Sequence, residues 1–288
     1  MTKSLQIRRG ILDEIMEWAE KLTPAELDEK LLARFHSNLL LLERLFAEGI
    51  EPVYRIVESD SINLEIANEI EALFAALERD GLLPAQTPGK SSFSLTTEAA
   101  ITRTQASEEI LAPEEWAETN YKKLLRGLCR TYETLYENLI AERLRPIAGF
   151  ITQGKSPNRK ALILKCIADY RSGEFKHLVG PFIPIIRNSI AHKDSIIDNK
   201  LPRVTFRDGK KATLTLSVDE FRSLCAHLLR WSVAFDYVLF KREEPMLRSL
   251  MHKMRKLQAF LEKSGVRLAR GSPGRSLAEL ADSIPDVE

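Results

Sequence analysis

Apolar residues recur at spacings of three and four along most of the chain, and this periodicity predicts helices almost throughout. The first run extends from Leu5 to Leu22 and the second from Ala25 to Phe46. Between them, Thr23-Pro24-Ala25-Glu26 supplies an N-cap hydroxyl, a proline in the first turn and an acid at the third position. Gly49 is expected to stop the second helix. A third amphipathic run, Ile62 to Leu77, follows Ser59-Asp60-Ser61 and ends at Gly81. Residues 1–81 therefore predict an N-terminal helical domain of three antiparallel helices, apolar inside and acidic outside.

The pattern then changes. Residues 82–95 are rich in proline, glycine and serine and have no period, so a domain boundary is expected there, with linker and polar segment together covering 82–112. Pro113-Glu114-Glu115 opens a long amphipathic helix with Trp116, Leu124, Leu128, Leu135 and Leu139 on its apolar stripe, expected to stop at Pro146. A further helix is predicted from about Pro157 to Tyr170, ended by Ser172-Gly173. The apolar stretch from Glu174 to His192 contains Gly180, Pro181 and Pro184, and a break is expected near 180–184.

One segment alternates instead. From Arg203 to Leu216, Val, Phe, Leu and β-branched Thr flank Asp208-Gly209, which predicts a β-hairpin over about 203–216. Ser217-Val218-Asp219-Glu220 then leads into a helix through Phe240, with Phe221, Leu224, Cys225, Leu228, Leu229 and Val233 turned inward and Pro245 at its end. Residues 113–245 thus form a second helical domain. Residues 246–288 read as a separate basic helix (246–263) and a loosely ordered tail. The fold class is mainly α, with one hairpin.

At 288 residues and 44% hydrophobic, the chain can bury a substantial core without covalent staples. Cys129, Cys166 and Cys225 are far apart in apolar stretches, with no CxxC pair and no histidine at ligand spacing; they read as reduced core residues of a cytoplasmic protein, with no metal site. The N-terminus shows no apolar signal region, and no apolar run is long enough to span a bilayer. The net charge of +1 says little, but residues 1–85 are acidic in balance and residues 241–274 basic. That asymmetry fits a polyanionic partner for the C-terminal half, and equally a solvated charged helix. No Walker loop, GxGxxG, HExxH or GxSxG is present, so no cofactor is predicted.

The chemistry concentrates in Ile185-Ile186-Arg187-Asn188-Ser189-Ile190-Ala191-His192-Lys193-Asp194, where apolar residues bracket a polar set that a helix core does not require. Asn188 and His192 are four apart and share a helix face. Arg187 starts about 140° from His192 and needs its long side chain, or a local break, to converge on it. In one pocket their roles are complementary. An imidazole exchanges protons near neutral pH, a guanidinium grips phosphate through two donors, and the amide orients either.

At these residues the chain resembles the HEPN superfamily, whose ribonuclease members carry Arg, a polar residue that is often Asn, three further residues and His. Arg187-Asn188-(Ser189-Ile190-Ala191)-His192 matches every defined position, and the predicted helices from about Pro113 to Phe240 suit a HEPN helical bundle. The resemblance implies a metal-independent endoribonuclease. A ribose 2′-OH attacks the adjacent phosphate, His192 acts as general base or acid, Arg187 stabilises the developing negative charge and Asn188 fixes the pocket. It implies RNA as partner, a homodimer that joins two copies of the motif, and a toxin or antiphage setting by analogy of fold. Members paired with a nucleotidyltransferase antitoxin often have Tyr two residues after the His, where this chain has Asp194. Two other readings stay open: a noncatalytic HEPN-like module binding nucleotide or protein, and a structural helical adaptor.

Lys193 and His177 are further substrate-binding candidates, Lys193 for its charge beside the motif and His177 for lying fifteen residues before His192 in the same apolar stretch. The ordinary explanations are an exposed lysine at a helix end and a boundary histidine. Asp169 and Tyr170 could line the same cleft. His36 and His227 lie within amphipathic helices, and Trp18, Trp116 and Trp231 on apolar stripes, so all five read as packing residues. Residues 1–81 are expected to be a separable sensing or docking unit for a protein partner or regulator.

Overall fold

The computed structural model describes residues 39–40, 43, 45–83, 110, 120–154, 157–209 and 212–263. The helix expected over 5–22, nearly all of that over 25–46, most of the 82–112 segment, the Pro113-Glu114-Glu115 start and the tail from Gly265 lie outside these residues, as do Trp18, His36 and Trp116. The described chain is mainly helical, with one small antiparallel sheet. No described helix is long and apolar enough to cross a membrane.

Two compact units divide the chain, and they group it differently from its linear order. One holds the described residues up to Ser59 together with those from Tyr237 onward; the other holds Asp60 to Leu83 and the described residues between 97 and Asp236. The expected domain of residues 1–81 is therefore split between Ser59 and Asp60.

The physical reason is the face of helix α2. Glu51–Glu58 forms α1 and Ser61–Arg79 forms α2. The Asp60 carboxylate caps α2 by accepting from the Ile62 amide at 2.9 Å. Gly81, at φ 65°, closes its far end in a Schellman motif: Gly81 N–H donates to Glu78 O and Leu82 N–H to Leu77 O. Between these ends Ile66, Ala67, Ile70, Leu73, Phe74, Ala76 and Leu77 are buried. Phe74 meets Phe235, ring centroids 5.7 Å apart, so this face belongs to the second unit's core.

In that unit Tyr121–Leu139 is α3, Arg145–Ile151 is α4, Lys160–Asp169 is α5 and Pro184–Ala191 is α6. Pro146 does not stop the helix as expected. A π turn over Ile140–Leu144 re-registers the ladder first, and Pro146 falls in the first turn of α4, where its missing N–H costs nothing. The break expected near 180–184 is present: a 3₁₀ turn, Lys176–Val179, gives way to a turn at 180–181 and extended backbone before α6 starts at Pro184.

Ile196–Ile197 (β1), Arg203–Asp208 (β2) and Ala212–Ser217 (β3) form the sheet in the order β1-β2-β3. The hairpin sits where expected, with Asp208 paired to Ala212 and Gly209 at φ 64° in the turn; the short β1, Ile196 against Thr205, is an addition.

Val218–Lys263 is one helix, α7. Pro245 lies inside it, so the separate basic helix expected over 246–263 is its continuation. Past Pro245, Leu247 and Met254 are almost wholly buried, and that burial, at about 1.5–3 kcal/mol per large side chain, offsets the lost ladder bond.

Gly49 likewise fails to stop its helix, because a π turn over Leu45–Ile50 carries the backbone through it into α1. In this first unit Tyr54 donates to Glu244 at 2.7 Å and packs edge-on against Tyr237.

A chain of aromatic contacts runs through the core of the second unit. Phe206 of β2 packs on Phe221, Phe221 on Tyr132, Tyr132 on Tyr136, Tyr136 on Phe182, Phe182 on Trp231 and Trp231 on Phe235, each at a centroid distance of 5.0–5.9 Å. Sheet, α3, α7 and the segment leading into α6 are thereby locked to one another.

Candidate functional site

Helix α6 carries most of the motif, and its setting follows from three anchors. Tyr132 of α3 is fully buried, and its hydroxyl accepts from the Ile183 amide at 2.8 Å while reaching the carbonyls of Pro181 and Ile183. This satisfies the extended backbone that enters α6, where the proline-rich sequence offers few donors. Burial pushes the Tyr132 phenol upward, so it remains a neutral hydrogen-bonding group. Ile186 is wholly buried on the underside of α6. Ser189, also wholly buried, accepts from the Arg207 amide of β2 at 3.0 Å, two residues beyond the last β1 pairing.

On this frame Arg187 and Asn188 project from the partly exposed side. Arg187 Nε donates to Glu137 Oε1 of α3 at 2.6 Å, and its Nη1 reaches Asn188 Oδ1 at 3.4 Å. The other face of the Asn188 amide donates to Asp208 at 3.0 Å. Lys160, at the start of α5, donates to the second oxygen of Glu137. The motif's Arg and Asn are thus joined in one polar cluster with Glu137, Lys160 and Asp208, of which the sequence pattern marked only Asp208, and that as a turn residue. Burial alone would push the Glu137 carboxyl up, but the hydrogen bonds and charges of Lys160 and Arg187 hold it below the usual carboxylate range.

His192 stands apart from this cluster. It is the C-cap of α6, its backbone N–H bonding to Asn188 O at 2.9 Å, and its exposed imidazole has no hydrogen-bond or ion-pair partner among the described residues. The helix ends in a second Schellman motif, with Lys193 N–H donating to Ile190 O and Asp194 N–H to Ser189 O. Lys193 occupies the left-handed position at φ 60°, where Gly81 stands in the equivalent motif after α2. The arrangement leaves His192 and Lys193 at the exposed end of α6, one helical turn beyond Asn188.

His177 is placed elsewhere. Its Nε2 lies 3.3 Å from Glu69 of α2, and no hydrogen bond or ion pair links it to Arg187, Asn188 or His192 among the described residues. Tyr170 likewise turns to α2. Its hydroxyl donates to Asp80 at 2.6 Å, and Arg171 grips the same carboxylate through Nε and Nη2. His227 and Trp231 are packing residues of α7; burial lowers the His227 imidazole, and Trp231 is 1% exposed. Cys129 and Cys225 are buried thiols and Cys166 a half-buried one, none of them in a disulfide.

Of the basic side chains past Pro245, Arg248 pairs with Glu244 and Arg255 with Glu43. Among the described residues no group of three His, Cys, Asp or Glu side chains is placed to hold a metal ion.

The arrangement offers a guanidinium and an ammonium at one solvent-accessible carboxylate, an amide that fixes the guanidinium, and an exposed imidazole on the same short helix. Such groups can bind an anion and exchange a proton beside it. Compared with family models, curated proteins and solved structures, the chain matches none.

Proposed function

We propose that the chain is a metal-independent endoribonuclease of HEPN type. The observation that carries this reading is the joint presentation, on α6 and its cap, of Arg187 and Asn188 in one hydrogen-bonded cluster and of an exposed His192 that has no partner among the described residues. RNA supplies its own nucleophile. The 2′-OH attacks the neighbouring phosphorus, His192 takes or returns the proton, Arg187 neutralises charge that accumulates on the phosphate oxygens, and the 5′-oxygen departs. The products are a 2′,3′-cyclic phosphate end and a 5′-hydroxyl end. A homodimer, setting two α6 ends around a two-fold axis, would supply a second imidazole and guanidinium. The proposed setting is the cytoplasm, as a toxin or antiphage effector.

The test is incubation of the full-length protein with total RNA in EDTA, comparing wild type with His192→Ala. Fragments with cyclic phosphate ends from the wild type alone support the reading. Cleavage that survives the substitution sinks it.

A second reading has its own observation. Arg187 is already neutralised within the chain by Glu137, which is what a structural adaptor, or a noncatalytic binding module, would also show. Absence of cleavage by a wild-type protein that still binds RNA or another nucleotide favours the binding module.

A further inference from the structure

Glu137, Lys160 and Arg187 come from α3, α5 and α6 and meet at one carboxylate. Each cation has its own oxygen: Arg187 donates to Oε1 at 2.6 Å and Lys160 to Oε2. The three side chains are 30%, 30% and 27% exposed, so a dissolved anion can reach them. A guanidinium and an ammonium that fit the two oxygens of a carboxylate also fit two oxygens of a phosphate, since both are planar or tetrahedral oxyanions taking parallel N–H donors. Asn188 holds the guanidinium from its other side and is itself fixed by Asp208, so Arg187 keeps a second anchor if the carboxylate leaves.

We propose that Lys160 and Arg187 form a phosphate-binding site whose resident anion in the free chain is the Glu137 carboxylate, so that Glu137 competes with an incoming nucleic-acid phosphate. This rests on the reading of Arg187 as a phosphate-gripping residue but does not require cleavage. Lys160 becomes a binding residue that the Arg-Asn-x-x-x-His pattern does not contain. Glu137 becomes a brake: while it is seated, its charge and that of Asp208 offset the two cations, and one net positive charge appears once it is displaced. The competing explanation is that Glu137 only ties α3 to α5 and α6.

Substitution by the isosteric amide separates the two. The full chain is titrated with a labelled 2′-O-methyl oligoribonucleotide, which has the phosphates of RNA but no free nucleophile, and binding is followed by fluorescence anisotropy at several salt concentrations. Glu137→Gln is expected to tighten binding about tenfold and to steepen its salt dependence, because two donors are released to the backbone. Lys160→Gln is expected to weaken binding about threefold, and Glu137→Gln with Lys160→Gln to lose most of the tightening.

Unchanged or weaker binding by a folded Glu137→Gln protein overturns the proposal, as does full tightening in the double variant. If Glu137→Gln does not fold, Lys160→Gln alone decides: loss of affinity supports the site, and none overturns it. Cleavage of ordinary RNA by the wild type is measured alongside. A protein that binds in this way but never cuts sinks the ribonuclease reading and leaves the phosphate site standing; one that cuts but shows no tightening does the reverse.

Discussion

The guanidinium of Arg143 lies 2.9 Å from the carboxylate of Asp236, and the two side chains are only 3% and 1% exposed. The same guanidinium packs over the Phe235 ring at 5.7 Å. A buried pair of this kind is weak evidence for net stability, since desolvation of both ions opposes their attraction, but removing one partner strands the other. Asp236→Ala is expected to cost about 3–5 kcal/mol in urea unfolding. Arg143→Met combined with Asp236→Leu should recover most of that loss, and a double variant no better than the single would show that the ions themselves are required.

The motif predicts a specific hierarchy of activity. Arg187→Ala and His192→Ala should each lower RNA turnover by about 10²–10³-fold, the usual loss for one oriented transition-state donor or proton carrier. Arg187→Lys should not rescue, because an ammonium cannot serve Glu137 or a phosphate and Asn188 with the same planar fork. Asn188→Ala should be milder, as water can take part of the amide's place. EDTA should leave the wild-type rate unchanged. Initial rates on a defined RNA would read all four.

Lys193 holds a backbone conformation that costs a non-glycine residue about 1–2 kcal/mol. Allowing for the greater freedom of glycine in the unfolded chain, Lys193→Gly should stabilise the protein by about 0.5–1 kcal/mol. If Lys193 also contacts RNA, the same substitution should weaken binding while raising the melting midpoint. A midpoint that falls would mean the lysine side chain makes a stabilising contact after all.

Asp80 connects α2 to the turn after α5 in a pH-dependent way. The hydrogen bond from Arg171, then that from Tyr170, lowers its carboxyl from 3.8 to about 2. The folded value is the depressed one, so this contribution is complete above the unfolded pKa and fades as pH falls from 3.8 to about 2. Asp80→Asn should therefore lower the urea midpoint at neutral pH, and the gap from wild type should close as the titration approaches pH 2. A gap that is constant with pH would mean that Asp80 acts through its shape alone.

Much of the fold was legible because it is local. Asp60 caps α2 with a side chain two residues from its donor, Gly81 ends the same helix by its positive φ, and Asp208-Gly209 turns the hairpin. The misread stops have the opposite character. Pro146 and Gly49 are tolerated through π turns, which leave no mark in a 3.6-residue period, and Pro245 through burial of Leu247 and Met254 downstream. The site divides in the same manner. Arg187, Asn188 and His192 stand within one short helix and its cap, whereas Glu137 meets Arg187 across fifty positions and reads locally as one more acid on an amphipathic helix. Residues 1–81 looked like one unit because the linker composition begins only after Gly81, whereas the contact of Phe74 with Phe235 shows where α2 belongs.

The π turn between α3 and α4 holds one residue more than an ordinary helical turn. One residue corresponds to about 100° of rotation, so everything downstream is set in angular phase by this single extra position. Deleting Ala141 would leave a smoother helix with a better ladder, yet it would swing the exposed side of α4 inward and carry Arg143 off the bearing on which it meets Asp236. Length here is as strictly specified as residue type. The segment can exchange side chains far more readily than it can gain or lose one, and a helix that looks improved by such a deletion would belong to a different packing.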